Sequence, residues 1–168
     1  MTELVRQDIP QTAEVDRTDL RVIGLDGFVP YLLNTVSARY NAHMAEQLRA
    51  QGLTTPQMRA LAVLAVHPEL TVNALAVYAV MEQSTMSRTL DGMVDAGLVV
   101  RRQSEDDRRV RVVSLTPAGT RAFNEVWPLM RDAEARLMDA LPDEGREAFL
   151  LALRSILMSM VDEPTEDG

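Results

Sequence analysis

The residues best suited to chemistry in this 168-residue chain form a polar run at Gln83, Ser84, Thr85, Ser87 and Arg88. Met86 and Leu90 are four apart, and with Met93 and Val94 they would make the inward face of a helix. Ser84, Thr85, Ser87 and Arg88 would then point outward, with Gln83 ahead of them. Hydroxyls and backbone N–H groups at a helix start suit phosphate, and one arginine can reach guanine O6 and N7 together. A second cluster lies at Asp106, Asp107, Arg108 and Arg109, with Arg111 close behind. An arginine at a loop tip beside such a helix suits the negative potential of a narrow minor groove, and an acidic neighbour can hold it extended. A capped surface helix with incidental hydroxyls and a solvated charge cluster would carry the same residues, so the surrounding elements must decide.

Those elements read mainly as helices. Leu25, Phe28, Val29, Leu32, Leu33 and Val36, continued by Tyr40, Met44 and Leu48, recur at three-to-four spacing and predict a long first helix that stops at Gly52. Thr55 is placed to cap a second helix with Pro56 at its first position, and Pro68 ends it. Thr71 can cap a short third helix through Ala79, and a fourth runs from near Glu82 to Gly97. Residues 98–103 and 109–115 are rich in β-branched side chains and flank a charged loop, the pattern of a hairpin. Thr116 followed by Pro117 opens a fifth helix, which Pro128 should kink. A sixth carries Phe149, Leu150, Leu153, Ile156, Leu157 and Met160.

Helices three and four meet through only Val80 and Met81, and a hairpin follows at once. Two helices joined so tightly, then a β-hairpin, are the parts of a winged helix-turn-helix. The fold expected is therefore mostly α, in the α+β sense, with long N- and C-terminal helices whose surplus apolar surface is buried against a second copy. The divisions expected are an arm over residues 1–22, a helical dimerisation region from 23–53 and 117–161, a DNA-binding region over 54–116 and a tail at 162–168.

Composition narrows the functional classes. The chain has no cysteine, which excludes disulfides, thiolate nucleophiles and cysteine redox sensing. Its first residues lack a basic segment followed by an apolar one, and no apolar run reaches membrane-spanning length, so a cytoplasmic location is expected. His43 and His67 stand on separate elements without acidic partners at ligand spacing, there is no glycine-rich phosphate loop, and neither an enzyme nor a metal or other cofactor is expected. A net charge of −8 looks wrong for a nucleic-acid partner, but its distribution is uneven. From Gln83 to Arg111, six arginines face five acidic residues, so this segment is slightly cationic in an anionic chain.

The same segment resembles the MarR family of bacterial and archaeal regulators. The resemblance rests on Leu75-Ala76, then Ser84-Thr85-Met86-Ser87-Arg88, then Gly97-Leu98-Val99 with Arg101, then Asp107, Arg109, Leu115-Thr116 and Gly119. The helix layout extends it over about residues 25–160. Departures are Val80 where glycine is common, and Val77 and Tyr78 where charged residues are usual.

The resemblance implies a homodimer that binds a palindromic duplex operator and acts as a repressor. It makes Arg109 the minor-groove residue and Asp107 its positioning partner, with Gln83, Ser84, Thr85, Ser87, Arg88, Arg108 and Arg111 completing the DNA contacts. It also implies control by a small ligand, often an aromatic acid in this family, with Tyr40, His43 and Arg59 as the polar or aromatic residues that could line its crevice. The alternative is a winged helix used only for protein contacts, whose mark would be an acidic or apolar recognition helix.

Overall fold

The computed structural model describes residues 19–104 and 109–161, which form two compact units, residues 1–43 and 44–168. Asp107, Arg108, most of the expected arm and the expected tail lie outside the described residues.

The first unit holds α1 (Leu20–Ile23) and most of α2 (Val29–Ala50). Asp19 caps α1 by accepting the Arg21 backbone N–H at 2.9 Å, and the Arg21 guanidinium beside it, with that backbone bond, holds its carboxyl below the usual range. The sequence stripe from Leu25 predicts one uninterrupted helix, but α2 begins only at Val29. Gly24 at φ 67° ends α1, and a Cβ on Gly27 would strike the Ile23 carbonyl, so a turn occupies the gap. Pro30 follows in the first turn of α2.

The second unit contains the core. After α2 come α3 (Thr55–Val66), β1 (Leu70–Thr71), α4 (Val72–Tyr78), α5 (Gln83–Asp95), β2 (Val99–Gln103), β3 (Arg111–Leu115), α6 (Pro117–Met138) and α7 (Asp143–Val161). Met44, Leu48, Leu61, Leu64, Leu75, Met86, Leu90, Met93, Val99, Val113 and Val126 are fully buried, joining every element of this unit except α7 and the short β1. Helix α3 packs on both α6 and α5, and so stands at the centre.

Two expectations of detail are corrected. The cap of α3 is Thr54, not Thr55: its hydroxyl accepts from Gln57 N at 3.4 Å, while Gln57 Oε1 accepts from Thr54 N at 2.9 Å. Gln57 stands three residues after Thr54 and completes this reciprocal box, which Thr55 has no partner to make. Val94 is 38% exposed, because the inward face of α5 is narrow and already filled by Met86, Leu90 and Met93. Apart from these, Pro128 lies inside α6, which is one helix from Pro117 to Met138.

The sheet has the order β1-β3-β2, all antiparallel. The hairpin of β2 and β3 aligns Val99 with Leu115 and Gln103 with Arg111. Strand β1 is an addition to the sequence reading: Leu70 pairs with Val113, and Thr71 pairs with Val112. Two residues are too few to show a strand period.

Helices α2, α4 and α5 end in the same hydrogen-bond pattern, in which two N–H groups beyond the helix return to its last turn. Leu53 N bonds Leu48 O and Gly52 N bonds Arg49 O; Leu98 N bonds Met93 O and Gly97 N bonds Val94 O. At α4, Met81 N bonds Ala76 O and Val80 N bonds Val77 O. The left-handed position is glycine in the first two, at φ 69° each, but valine in the third, Val80 at φ 53°.

Candidate nucleic-acid interface

The turn at Val80 sets the crossing of α4 and α5. A β-branched residue is disfavoured at positive φ, so the conformation is imposed by the helices on either side. Arg59 Nη1, from α3, reaches the Val80 carbonyl at 3.4 Å, and Val80 itself is 81% exposed. Beyond the turn, Glu82 occupies the cap position of α5 without a side-chain cap bond.

Helix α5 buries Met86, Leu90 and Met93 and leaves Gln83, Ser84, Thr85 and Arg88 exposed. Ser87 is only half-buried and works through its backbone, whose carbonyl accepts from Arg101 Nη2 at 3.2 Å. Arg88 Nε donates to the Ser84 carbonyl at 3.3 Å, which lays its stem along the helix. Gln83 Nε2 donates to Asn73 Oδ1 on α4 at 2.6 Å.

Two ion pairs brace the hairpin. Arg101 on β2 reaches Asp91 on α5 at 2.6 Å, and Arg102 reaches Glu69, just before β1, at 2.8 Å. Arg102 pairs in register with Val112 of the middle strand, so its bond spans that strand. Arg109 and Arg111 are exposed at the hairpin's far end.

The opposite end of the hairpin is closed around the Leu98 carbonyl. Thr116 N donates to it at 3.0 Å, and the Thr116 hydroxyl lies 3.2 Å from it and donates to Gly97 O at 2.6 Å. The same hydroxyl oxygen caps α6 by accepting Gly119 N at 3.0 Å. Gly119 packs so closely that a Cβ there would fall on the Leu98 oxygen. The spacing of Gly97-Leu98, Leu115-Thr116 and Gly119 is thus a packing requirement.

The structure therefore gathers Gln83, Ser84, Thr85 and Arg88 on one exposed helix, and Arg109 and Arg111 on the adjoining hairpin. Tyr40 and His43 are half-buried on α2, and Arg59 is half-buried on α3 with its guanidinium turned to the Val80 carbonyl. Sequence reasoning passed over Asn73. Its signal was its place in the first turn of a helix capped by Thr71, ten residues before Gln83 across a tight turn. His67 and Tyr78 also stack, with centroids 4.6 Å apart, which joins the ends of α3 and α4. Among the described residues no helix is long and apolar enough to cross a membrane.

The model of the MarR family matches residues 51–110, the span from the end of α2 to the hairpin tip. The chain is 34% identical over 122 residues to the uncharacterized HTH-type transcriptional regulator YwoH of Bacillus subtilis, covering 72% of this chain and 88% of that one. It is 28% identical over 131 residues to the HTH-type transcriptional repressor Rv2887 of Mycobacterium tuberculosis, covering 78% and 94%. The crystal structure of Rv2887 in complex with salicylic acid superposes with a TM-score of 0.64 over 77% of this chain and 96% of that one. A MarR family transcriptional regulator from Silicibacter pomeroyi is 40% identical and superposes with a TM-score of 0.78 over 89% of this chain and 99% of that one. These are transcriptional regulators, which is not an enzyme class. The shared fold, the matched segment and the near-complete coverage of these relatives agree: the chain belongs to the MarR family.

Proposed function

We propose that this chain is a repressor that binds a palindromic duplex operator as a homodimer in the cytoplasm and is released by a small aromatic acid. The observation that carries the reading is α5: an amphipathic helix with Gln83, Ser84, Thr85 and Arg88 exposed, braced by Arg101 to a hairpin that ends in Arg109 and Arg111. Its start offers hydroxyls, amides and N–H groups to base edges and phosphates, and the hairpin offers arginine to the flanking minor groove.

Dimerisation is supported by apolar surface. Helix α7 buries no described side chain, and Ile156, Leu157 and Met160 are 46%, 63% and 72% exposed. A face of that size is the kind that associating proteins cover. The ligand reading draws on the salicylic acid complex of Rv2887, with Tyr40, His43 and Arg59 as the residues to test. No catalytic role is assigned to any residue.

Selection of bound duplexes from a random pool tests the reading. Enrichment of a two-fold symmetric sequence, with binding weakened by added salt and by millimolar salicylate, is expected. Failure to enrich any sequence would favour a winged helix used for protein contacts.

A further inference from the structure

A side chain that reads bases must be held in one orientation, and one at the start of α5 already is. Gln83 and Asn73 are both exposed, yet the Gln83 Nε2 to Asn73 Oδ1 bond is short, at 2.6 Å. The backbone brings the two amides together. Thr71 caps α4 through Ala74 N and fixes Asn73 in the first turn, while the left-handed turn at Val80 carries Gln83, the first residue of α5, back to it.

A glutamine amide has one acceptor and two N–H donors. Donation to Asn73 uses one N–H and leaves Oε1 beside the other. An acceptor next to a donor complements the N6 amino group and N7 of adenine. An untethered glutamine can turn its amide over and present that pair in reverse, whereas this one keeps its bond on turning only if the Asn73 amide turns with it and gives an Nδ2 donor to Gln83 Oε1.

We propose that Asn73 is a positioning residue for base readout, locking the Gln83 amide in the sense that selects adenine at one position of each half-site. The inference rests on the DNA reading above. Asn73 was given no role by the sequence, and its own Nδ2 donors remain for a nearby phosphate.

The test is a double-mutant cycle on the full-length protein, using the duplex selected from a random pool and versions with each base pair replaced. Gln83→Ala should lose discrimination at one A·T pair per half-site by about tenfold. Asn73→Ala should lose part of that discrimination, about threefold, at the same pair, and should add nothing further in the Gln83→Ala background. Asn73→Asp should retain the discrimination, because its carboxylate accepts the same N–H, while binding all duplexes more weakly through phosphate repulsion. Both residues are exposed, so thermal unfolding should confirm that the variants fold. The proposal is overturned if Asn73→Ala weakens all duplexes equally with the adenine preference intact, or if its effect adds in full to that of Gln83→Ala. Wild-type protein that binds no duplex would overturn the DNA reading itself, before any variant is compared.

Discussion

Arg101 on β2 donates from Nη1 to Asp91 Oδ1 at 2.6 Å and from Nη2 to the Ser87 carbonyl at 3.2 Å, so one guanidinium holds α5 at two points a helical turn apart. The pair is partly exposed, at 30% and 59% of the side chains. Asp91→Ala should therefore cost little stability, at most about 1 kcal/mol. Its larger effect should be on operator affinity, because the angle between helix and hairpin is loosened. Arg101→Lys should not fully substitute, since lysine offers one compact nitrogen where the guanidinium holds two in a fixed plane. Urea unfolding alongside gel-shift titration checks this; equal losses in both would show that the brace serves stability alone.

Val80 should be replaceable with profit. At φ 53° a β-branched residue is strained by about 1 to 2 kcal/mol, while glycine gains about 0.4 to 1 kcal/mol of unfolded-state freedom. Val80→Gly is expected to stabilise the fold modestly, by up to about 1 kcal/mol, read as a higher urea midpoint at unchanged slope. A lower midpoint would mean that the exposed valine makes contacts worth more than its strain.

Two glycines make a matched pair. Gly119→Ala would push a methyl group onto the Leu98 carbonyl and should destabilise by more than about 2 kcal/mol. Gly92, inside α5, has open space where its Cβ would be, so Gly92→Ala should stabilise by about 0.5 to 1 kcal/mol. Thermal unfolding of both variants is sufficient, and a tolerated Gly119→Ala would refute the close-packing account of the motif.

The arginines of the interface should separate by their dependence on sequence and salt. Arg88→Ala is expected to lose about 1 to 3 kcal/mol of discrimination between operator and mutated operator, if its contact is bidentate to guanine. Arg109→Ala should weaken binding, relax any preference for A·T-rich flanks, and lower the slope of log K against log salt by up to about 2 in a dimer that presents two hairpins. Arg108→Ala should matter less. Wild-type affinity and slope in Arg109→Ala, with a loss in Arg108→Ala, would reverse the assignment.

The helices and the hairpin were legible because each carries a local signal: Thr71 and Thr116 as caps, Gly52 and Gly97 as stops, and β-branched runs around a charged loop. Thr54 and Thr55 were not separable by position alone; only the reach of Gln57 back to Thr54 distinguishes them. Strand β1 exists because β3 offers it an edge, and the Asn73–Gln83 and Arg101–Asp91 bonds each join residues ten apart on different elements. Such features depend on how elements meet, which periodicity does not encode. Val80 shows the same limit from the other side: its sequence departs from the glycine usual in the family, and the turn forms regardless.

Thr71 belongs to two elements at once, pairing with Val112 as the last residue of β1 and capping α4 through Ala74 N. The helix before α5 is thereby tied to the same ribbon that α5 grips through Arg101. A shift of that ribbon would therefore carry both helices with it, as a handle moves every blade bolted to it.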